Sequence, residues 1–279
     1  MQLEIFGDTD IGKKREINED NYLCLEISQG LLPLYLLVVA DGMGGHSGGE
    51  IASSMAVELF KNTVLHQLKD GQGSDLDFRK ILEESSVEVN KAVYKKASED
   101  LQLTGMATTM VAALISGHSA TISNIGDSRA YLIRKKCVEQ ITVDHTWKNN
   151  QLQKKEFSEE DILNSPFRNM VTNALGLDFQ VKVDIFTLEL TEEDYLFLCS
   201  DGVYSLLKDK EILKVFKKAK KPKRICQKII QIANDRGGHD NITALVVRAG
   251  RKEKEKTRLA SPSDTIRLDS SEAWEQDRG

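Results

Sequence analysis

The sequence predicts an α+β fold: a β-sandwich of two antiparallel sheets flanked by pairs of helices. Two features of the chain point that way. Its strand candidates are apolar almost without interruption, as in 34–40 (LYLLVVA) and 195–199 (YLFLC), so both faces of each need cover. The elements also run in the order strands, two helices, more strands, two more helices, which suits helical layers outside a pair of sheets.

Residues 50 to about 68 read as a helix, with Ile51, Met55, Leu59, Phe60 and Leu68 near a period of 3.6. Residues 78 to about 97 are a second, with Ile81, Leu82, Val89, Ala92 and Val93 on one side. Gly71, Gly73 and Ser74 punctuate the link. From 108 to 142 the runs TTMVAALI, ATISNI, AYLI and VEQIT are broken by Ser116-Gly117, Gly126-Asp127 and Lys135-Lys136, which reads as antiparallel hairpins. Residues 148 to about 169 are polar and aperiodic, apart from a short helix over 159–163 capped by Ser158, and read as a mobile surface segment. Strands resume at 181–190 and 195–199, and helices follow over 208–219 and 222–235. Pro222 suits a first helical turn and Gly237 a helix stop. Residues 242–248 form a last strand.

With 279 residues of ordinary globular composition, the chain has room for one large domain or two small ones. A net charge of −5 gives no nucleic-acid surface. Cys24, Cys137, Cys199 and Cys226 lie far apart without CxxC spacing, which argues against a zinc site or a disulfide framework and fits a reducing cytosol. The opening MQLEIFGDTD lacks the basic and apolar regions of a signal peptide, and the longest apolar run, 31–40, is too short to span a bilayer. The expectation is a cytoplasmic monomer with no nucleic-acid or membrane partner. After Gly250 the character shifts to a charged tail with seven basic and seven acidic residues and sparse apolar ones. That composition predicts a catalytic domain over 1–250 and disorder over 251–279.

The chemistry rests on four acids. Both apolar runs named above end in a carboxylate and a glycine: Asp41-Gly42, and Asp201-Gly202 after Ser200. Asp240 lies in Gly237-Gly238-His239-Asp240-Asn241, and Asp20 in Arg15-Glu16-Ile17-Asn18-Glu19-Asp20. Asp-Gly is a common turn dipeptide, and one alone is read as a hairpin corner. Two of them, each closing a strand-length apolar run, point to carboxylates presented rigidly at a sheet rim. The Gly-rich stretch 41–50 lacks both the GxGxxG fingerprint and the P-loop lysine, so it is not a nucleotide loop. A bare Gly42 carbonyl can instead approach a cation, and an oxygen-only donor set suits Mg²⁺ or Mn²⁺. Arg15 is either a solvated member of the Lys13-Lys14-Arg15 cluster or a bidentate phosphate contact.

The order of eight blocks resembles the bacterial branch of the metal-dependent protein phosphatases, the protein phosphatase 2C family. The blocks are Arg15-xx-Asn18-Glu19-Asp20, the run from Asp41 to Glu50, Gly105-Met106-Ala107-Thr108-Thr109, and Gly126-Asp127-Ser128-Arg129-Ala130-Tyr131. Asp144-His145-Thr146, Thr172-Asn173-Ala174-Leu175-Gly176, Ser200-Asp201-Gly202-Val203 and Gly238-His239-Asp240-Asn241-Ile242-Thr243 complete them. The resemblance implies a β-sandwich between helix pairs and hydrolysis of phosphoserine and phosphothreonine in proteins at a two-metal centre, opposing a partner Ser/Thr kinase. It implies that Asp41 bridges both metals, Gly42 offers its carbonyl, Asp201 and Asp240 hold one metal, and Asp20 supports the other through water. Asp127 with Asp201 matches a third, weaker metal position, and Arg15 the phosphate-binding arginine. Asp41, Asp201, Asp240 and Arg15 are thus the expected catalytic set.

Three departures stand out. Met43 replaces the histidine of eukaryotic members, which leaves the general acid unassigned; His46 and His239 are isolated candidates. Asn173 stands where bacterial members carry an arginine, with consequences for substrate binding or flap packing. Residues 147–170 resemble the family's flap, but match poorly at the front. Two rival readings are a catalytically silent phosphoprotein binder, disfavoured by the complete set of acids, and a cation sensor, disfavoured by Arg15 and by ligands scattered over strand ends. The basic residues Lys214, Lys217, Lys218, Lys220, Lys221, Lys223 and Arg224 read first as a solvated helical face and second as a docking patch for phosphoproteins.

Overall fold

A computed structural model of the chain describes residues 2–29, 32–44, 48–70, 76–250 and 266–267. In chain order they form β1 (Gln2–Asp10), β2 (Asp20–Gln29), β3 (Leu32–Met43), α1 (Gly48–Asp70), α2 (Phe78–Glu99), β4 (Ala107–Thr108), β5 (Met110–Ser116), β6 (Ser119–Ile125), β7 (Arg129–Arg134) and β8 (Cys137–Gln140). Then follow α3 (Trp147–Lys154), α4 (Glu159–Asn164), β9 (Asp184–Glu189), β10 (Tyr195–Cys199), α5 (Asp201–Tyr204), α6 (Asp209–Ala219), α7 (Pro222–Asp235), β11 (Ile242–Gly250) and β12 (Ile266–Arg267).

One sheet has the order β1-β11-β10-β7-β8 and the other β12-β2-β3-β5-β6-β9, with β4 paired to the end of β3. The α+β sandwich expected from the sequence is present, and its cause is the two-residue period of the strands. On β3, Leu37 and Val39 enter the core between the sheets, while Leu36, Val38 and Ala40 pack beneath α1 and α2. On β10, Leu196 and Leu198 face the inter-sheet core, while Tyr195, Phe197 and Cys199 pack beneath α6 and α7. Each central strand is therefore dry on both sides, which is why its sequence shows no alternation. Helix ends follow local chemistry: the Asp77 carboxylate caps α2 by accepting from the Arg79 and Lys80 N–H groups at 3.0 and 3.3 Å.

The structure departs from the sequence expectation in several places. β5–β6 and β7–β8 are antiparallel hairpins, but Gly126-Asp127 is no hairpin turn: it carries the chain from β6 in one sheet to β7 in the other. β1 and β2, which carry no long apolar run, were not legible. β9 begins only at Asp184, because Val181 and Val183 pack against the helix-side core without joining the ladder. α3 forms inside the supposedly aperiodic segment; it buries none of its residues, so no hydrophobic period marks it. α4 and its Ser158 cap are as expected. In the tail only Ile266–Arg267 is described, paired parallel with Ile27 and Ser28 of β2; the rest of 251–279, and the expectation of disorder with it, lies outside the described residues.

At the crossover from β9 to β10 a buried carboxylate clips the two sheets together. Asp194 accepts from Arg134 Nε and Nη2 (2.7 Å for Nη2), from the Thr191 N–H at 2.6 Å and from the Thr191 hydroxyl at 2.8 Å. Burial pushes its pKa up, but the Arg134 and Thr191 hydrogen bonds outweigh it and leave the group below 3.8. Asp194→Ala should cost about 1–3 kcal/mol at neutral pH. A depressed carboxylate pKa contributes stability that is complete above the unfolded value and lost as pH falls through the folded one. The gap between wild type and variant in urea melts should therefore shrink below pH 3.8. A gap independent of pH would contradict the clip.

Candidate active site

The five predicted acids come from five separate connections at one end of the sandwich. Asp20 opens β2 and Asp41 nearly closes β3, and the ladder sets them directly opposite each other, on the same face. The alternation that sends Leu37 and Val39 between the sheets sends Asp41 to the mouth of the same gap. Asp127 lies on the β6–β7 crossover, Asp201 begins α5 just after β10, and Asp240 precedes β11.

These acids feel one another strongly. Asp20 Oδ2 accepts the hydroxyls of Ser200 and Thr243, both at 2.7 Å, yet burial still pushes its carboxyl up to about 6. Burial, and then the charges of Asp127, Asp240 and Asp20, push Asp201 up to about 7. Asp41 is raised well above the usual range by burial first and then by Asp20, Asp201, Asp127 and Asp240. Asp127 is also raised by burial, against the Tyr204 hydroxyl that donates to its Oδ2 at 2.9 Å. Like charges in a dry place oppose ionisation, so a site of this kind calls for a compensating cation.

Arg15 is the nearby organic cation. It is half-exposed, donates from Nη2 to Asp240 Oδ2 at 2.8 Å, and reaches Glu19 Oε2 from Nη1 at 3.4 Å. The structure thus brings Arg15 to the acids and out of the solvated cluster. Both terminal nitrogens face these acids, and 45% of the side chain stays exposed to solvent.

The supporting residues were largely missed by the sequence reading. Asn241 is buried, and its side chain ties the 11–19 loop to the start of β11: Nδ2 donates to the Ile11 and Ile17 carbonyls at 2.9 and 3.0 Å, and Oδ1 accepts the Glu19 N–H at 2.8 Å. Its signal was its place directly after Asp240. Thr109 donates to neither acid side chain, but its Oγ1 accepts the Asp41 N–H at 3.2 Å and meets Ser128 Oγ at 2.7 Å. Gly42 has no room for a side chain, since a Cβ there would lie 2.1 Å from the Gly49 carbonyl oxygen. Gly202 is bare for the same reason: its Cβ would lie 2.0 Å from the Asn241 carbonyl oxygen.

His145 joins the Asp127 crossover to the chain at Asn173. Asn173 Oδ1 accepts the Lys182 N–H at 3.0 Å, which fixes the orientation of the amide; its Nδ2 then donates to the Lys182 carbonyl at 2.9 Å and to His145 Nδ1 at 2.8 Å. The Gly126 N–H donates to the same Nδ1 at 3.1 Å, so Nε2 carries the proton to Asp184 Oδ2 at 2.9 Å. Asn173 thus links residues 172–176 to His145 and Lys182. Arg129 holds the next layer, bidentate to Asp144 at 2.9 and 2.6 Å, with its guanidinium 3.5 Å from the Tyr204 ring centre. His239 is exposed and makes no described hydrogen bond, and His46 lies outside the described residues.

The donor set fits a hard divalent cation. It is made of oxygen, and Asp20 Oδ1 and Asp201 Oδ1 are buried without a hydrogen-bond partner. Among the described residues no three acid, thiol or imidazole groups close into a cage by themselves.

Asn241→Ala should lower unfolding free energy by about 2–3 kcal/mol, because it strands a buried N–H and two carbonyls. It should also speed tryptic cleavage at Lys13, Lys14 and Arg15, as the loop loses its tether. Wild-type cleavage rates in a destabilised variant would contradict the tethering role.

Comparison with known proteins agrees with this architecture. The family model described as Protein phosphatase 2C matches residues 12–246. The serine/threonine phosphatase stp of Listeria innocua serovar 6a is 36% identical over 239 residues, covering 86% of this chain and 93% of that protein. The solved serine/threonine phosphatase Stp1 of Staphylococcus aureus superposes with a TM-score of 0.78 at 32% identity, covering 89% of this chain and 95% of that one. The catalytic domain of the serine threonine protein phosphatase PstP, solved in complex with 2 manganese ions, superposes with a TM-score of 0.73 at 28% identity, covering 89% of this chain and 99% of that one. The fold is thus shared along nearly the whole described length, and the chain belongs to the protein phosphatase 2C family of protein serine/threonine phosphatases.

Proposed function

We propose that this chain hydrolyses phosphoserine and phosphothreonine in proteins at a two-metal centre, opposing a partner Ser/Thr kinase, as a cytoplasmic monomer. The observation that carries the reading is the convergence of Asp20, Asp41, Asp201 and Asp240 at one rim, with unpaired buried oxygens, beside Arg15. No described helix is long and apolar enough to cross a membrane.

In this reading Asp41, the Gly42 carbonyl, Asp201 and Asp240 would hold the cations, with Asp20 in support. Asp127 with Asp201 offers a third, weaker position. Mn²⁺ or Mg²⁺ fits the oxygen set, and Mn²⁺ is the ion named in the PstP complex. When bound, such ions lower the pKa of water and stabilise charge on the phosphoryl group. The chain's own part is orientation. Ser200 and Thr243 fix the Asp20 carboxylate, and Asn241 fixes the loop that carries Arg15. Asp240 holds the guanidinium at the rim, where a phosphate would compete with Asp240 and Glu19 for its N–H groups.

The assay is release of phosphate from p-nitrophenyl phosphate and from a phosphothreonine peptide, with Mn²⁺, with Mg²⁺ and with EDTA. Turnover should require the cation. EDTA-resistant turnover would overturn the two-metal reading. Asp41→Asn and Asp201→Asn should each lower kcat at least about a hundredfold while the protein stays folded; near-normal activity in either removes it from the ligand set. Arg15→Ala should raise KM for the phosphopeptide about tenfold with a smaller change in kcat, and an unchanged KM would return Arg15 to a surface role.

A further inference from the structure

The basic hairpin of α6 and α7 is not used by the chemistry above. Residues 208–236 hold eleven Lys and Arg against three acids, in a chain whose net charge is −5. Between the two helices runs a groove of about 520 Å³. Val215 and Ile232 line its floor, and the exposed Lys214, Lys218, Arg224 and Lys228 line its walls. None of these four is in an ion pair among the described residues. Glu211 is the groove's acid, and it is already taken by Arg236.

The groove's position gives it a direction. At one end Arg236 donates to the Leu206 carbonyl at 2.6 Å, which lies on the turn that leads out of α5 and so from Asp201. Four residues beyond Arg236 the same chain reaches Asp240. From Arg236 back to Arg224 is about 18 Å along α7 at helical rise. The groove therefore starts beside two of the acid-bearing connections and leads away from them over a row of cations that no described acid pairs, with Lys228 donating only to Gln231.

We propose that this groove is a docking site for an acidic segment of the phosphoprotein substrate, an inference that rests on the phosphatase reading of the site. With the phosphorylated residue at the acids, an extended chain covers the distance at about 3.3 Å per residue, so the acidic segment lies roughly five to ten residues from it. Ammonium and guanidinium groups on solvated helix walls suit several weak, salt-sensitive pairs, while Val215 and Ile232 receive the apolar side chains between the acids.

The test uses the full chain and two phosphothreonine peptides, one with a glutamate block in that window, on either side of the phosphothreonine, and one with glutamines in its place. KM should be about tenfold lower for the glutamate peptide, as three or four partly screened pairs allow, and the difference should vanish near 0.5 M NaCl. The combined variant Lys214→Glu, Lys218→Glu, Arg224→Glu should lose the preference and keep wild-type turnover of p-nitrophenyl phosphate. Equal KM values in wild type, or a preference that survives in the variant, would overturn the proposal. So would a variant with lower KM for both peptides, which would mean that the chain's own acidic stretch, 269–277, fills the groove. If wild type fails to turn over p-nitrophenyl phosphate, the phosphatase reading falls separately. Fluorescence anisotropy of the labelled glutamate peptide then decides the groove alone: binding lost in the variant upholds it, and no binding overturns it.

Discussion

Burial of Asp20, Asp41, Asp127 and Asp201 at one rim, sharpened by their mutual repulsion, is the constraint on which the rest of this protein depends. Left alone, carboxylates at the mouth of a dry sandwich would protonate, swing to water or pull the strand ends apart. The fold prevents the last two. Asp20 is held by two hydroxyls from β11 and from the turn after β10, and the Asp41 backbone by Thr109. What remains is a fixed cluster of carboxyls with raised pKa values and unpaired oxygens on Asp20 and Asp201, so stability is spent locally to keep oxygens ready for a cation.

That local cost is tolerable because the surrounding scaffold is over-determined. Three dry layers, one between the sheets and one under each helix pair, clamp the central strands on both faces. The same strand periodicity that builds those layers aims Asp41 into the gap at its open end. Close backbone approaches at Gly42 and Gly202 then bring neighbouring connections together where any side chain would push them apart. Packing and chemistry are therefore two readings of one pattern, with the last residue of an apolar strand serving as the first residue of the site.

This explains what was legible in the sequence and what was not. β3 and β10 announced themselves because burial on both faces leaves an unbroken apolar run, and their carboxylate ends were legible for the same reason. α1, α2, α6 and α7 were legible because each buries one stripe. α3 was not, since it is held by side-chain hydrogen bonds such as Asn149 to the Asp144 carbonyl at 2.8 Å and carries no apolar face. The crossover at Gly126-Asp127 looked like a hairpin turn because sheet membership is a tertiary property, and a glycine at positive φ serves either kind of corner. Asn241, Ser200 and Thr243 act through partners about 40 to 220 residues away, so their roles depended on a topology that local pattern does not encode. Asn173 bonds His145 and Lys182, partners that its place in the sequence did not announce.

The central claim, that the buried acids are kept in repulsion for the sake of a divalent cation, is tested most directly by thermal melts of wild type and Asp41→Asn, each with and without Mn²⁺. Relief of repulsion should make the cation-free variant at least as stable as cation-free wild type. Mn²⁺ should raise the wild-type Tm by several degrees and leave the variant nearly unmoved. A wild-type Tm indifferent to Mn²⁺, or a cation-free variant that melts well below wild type, would contradict the account.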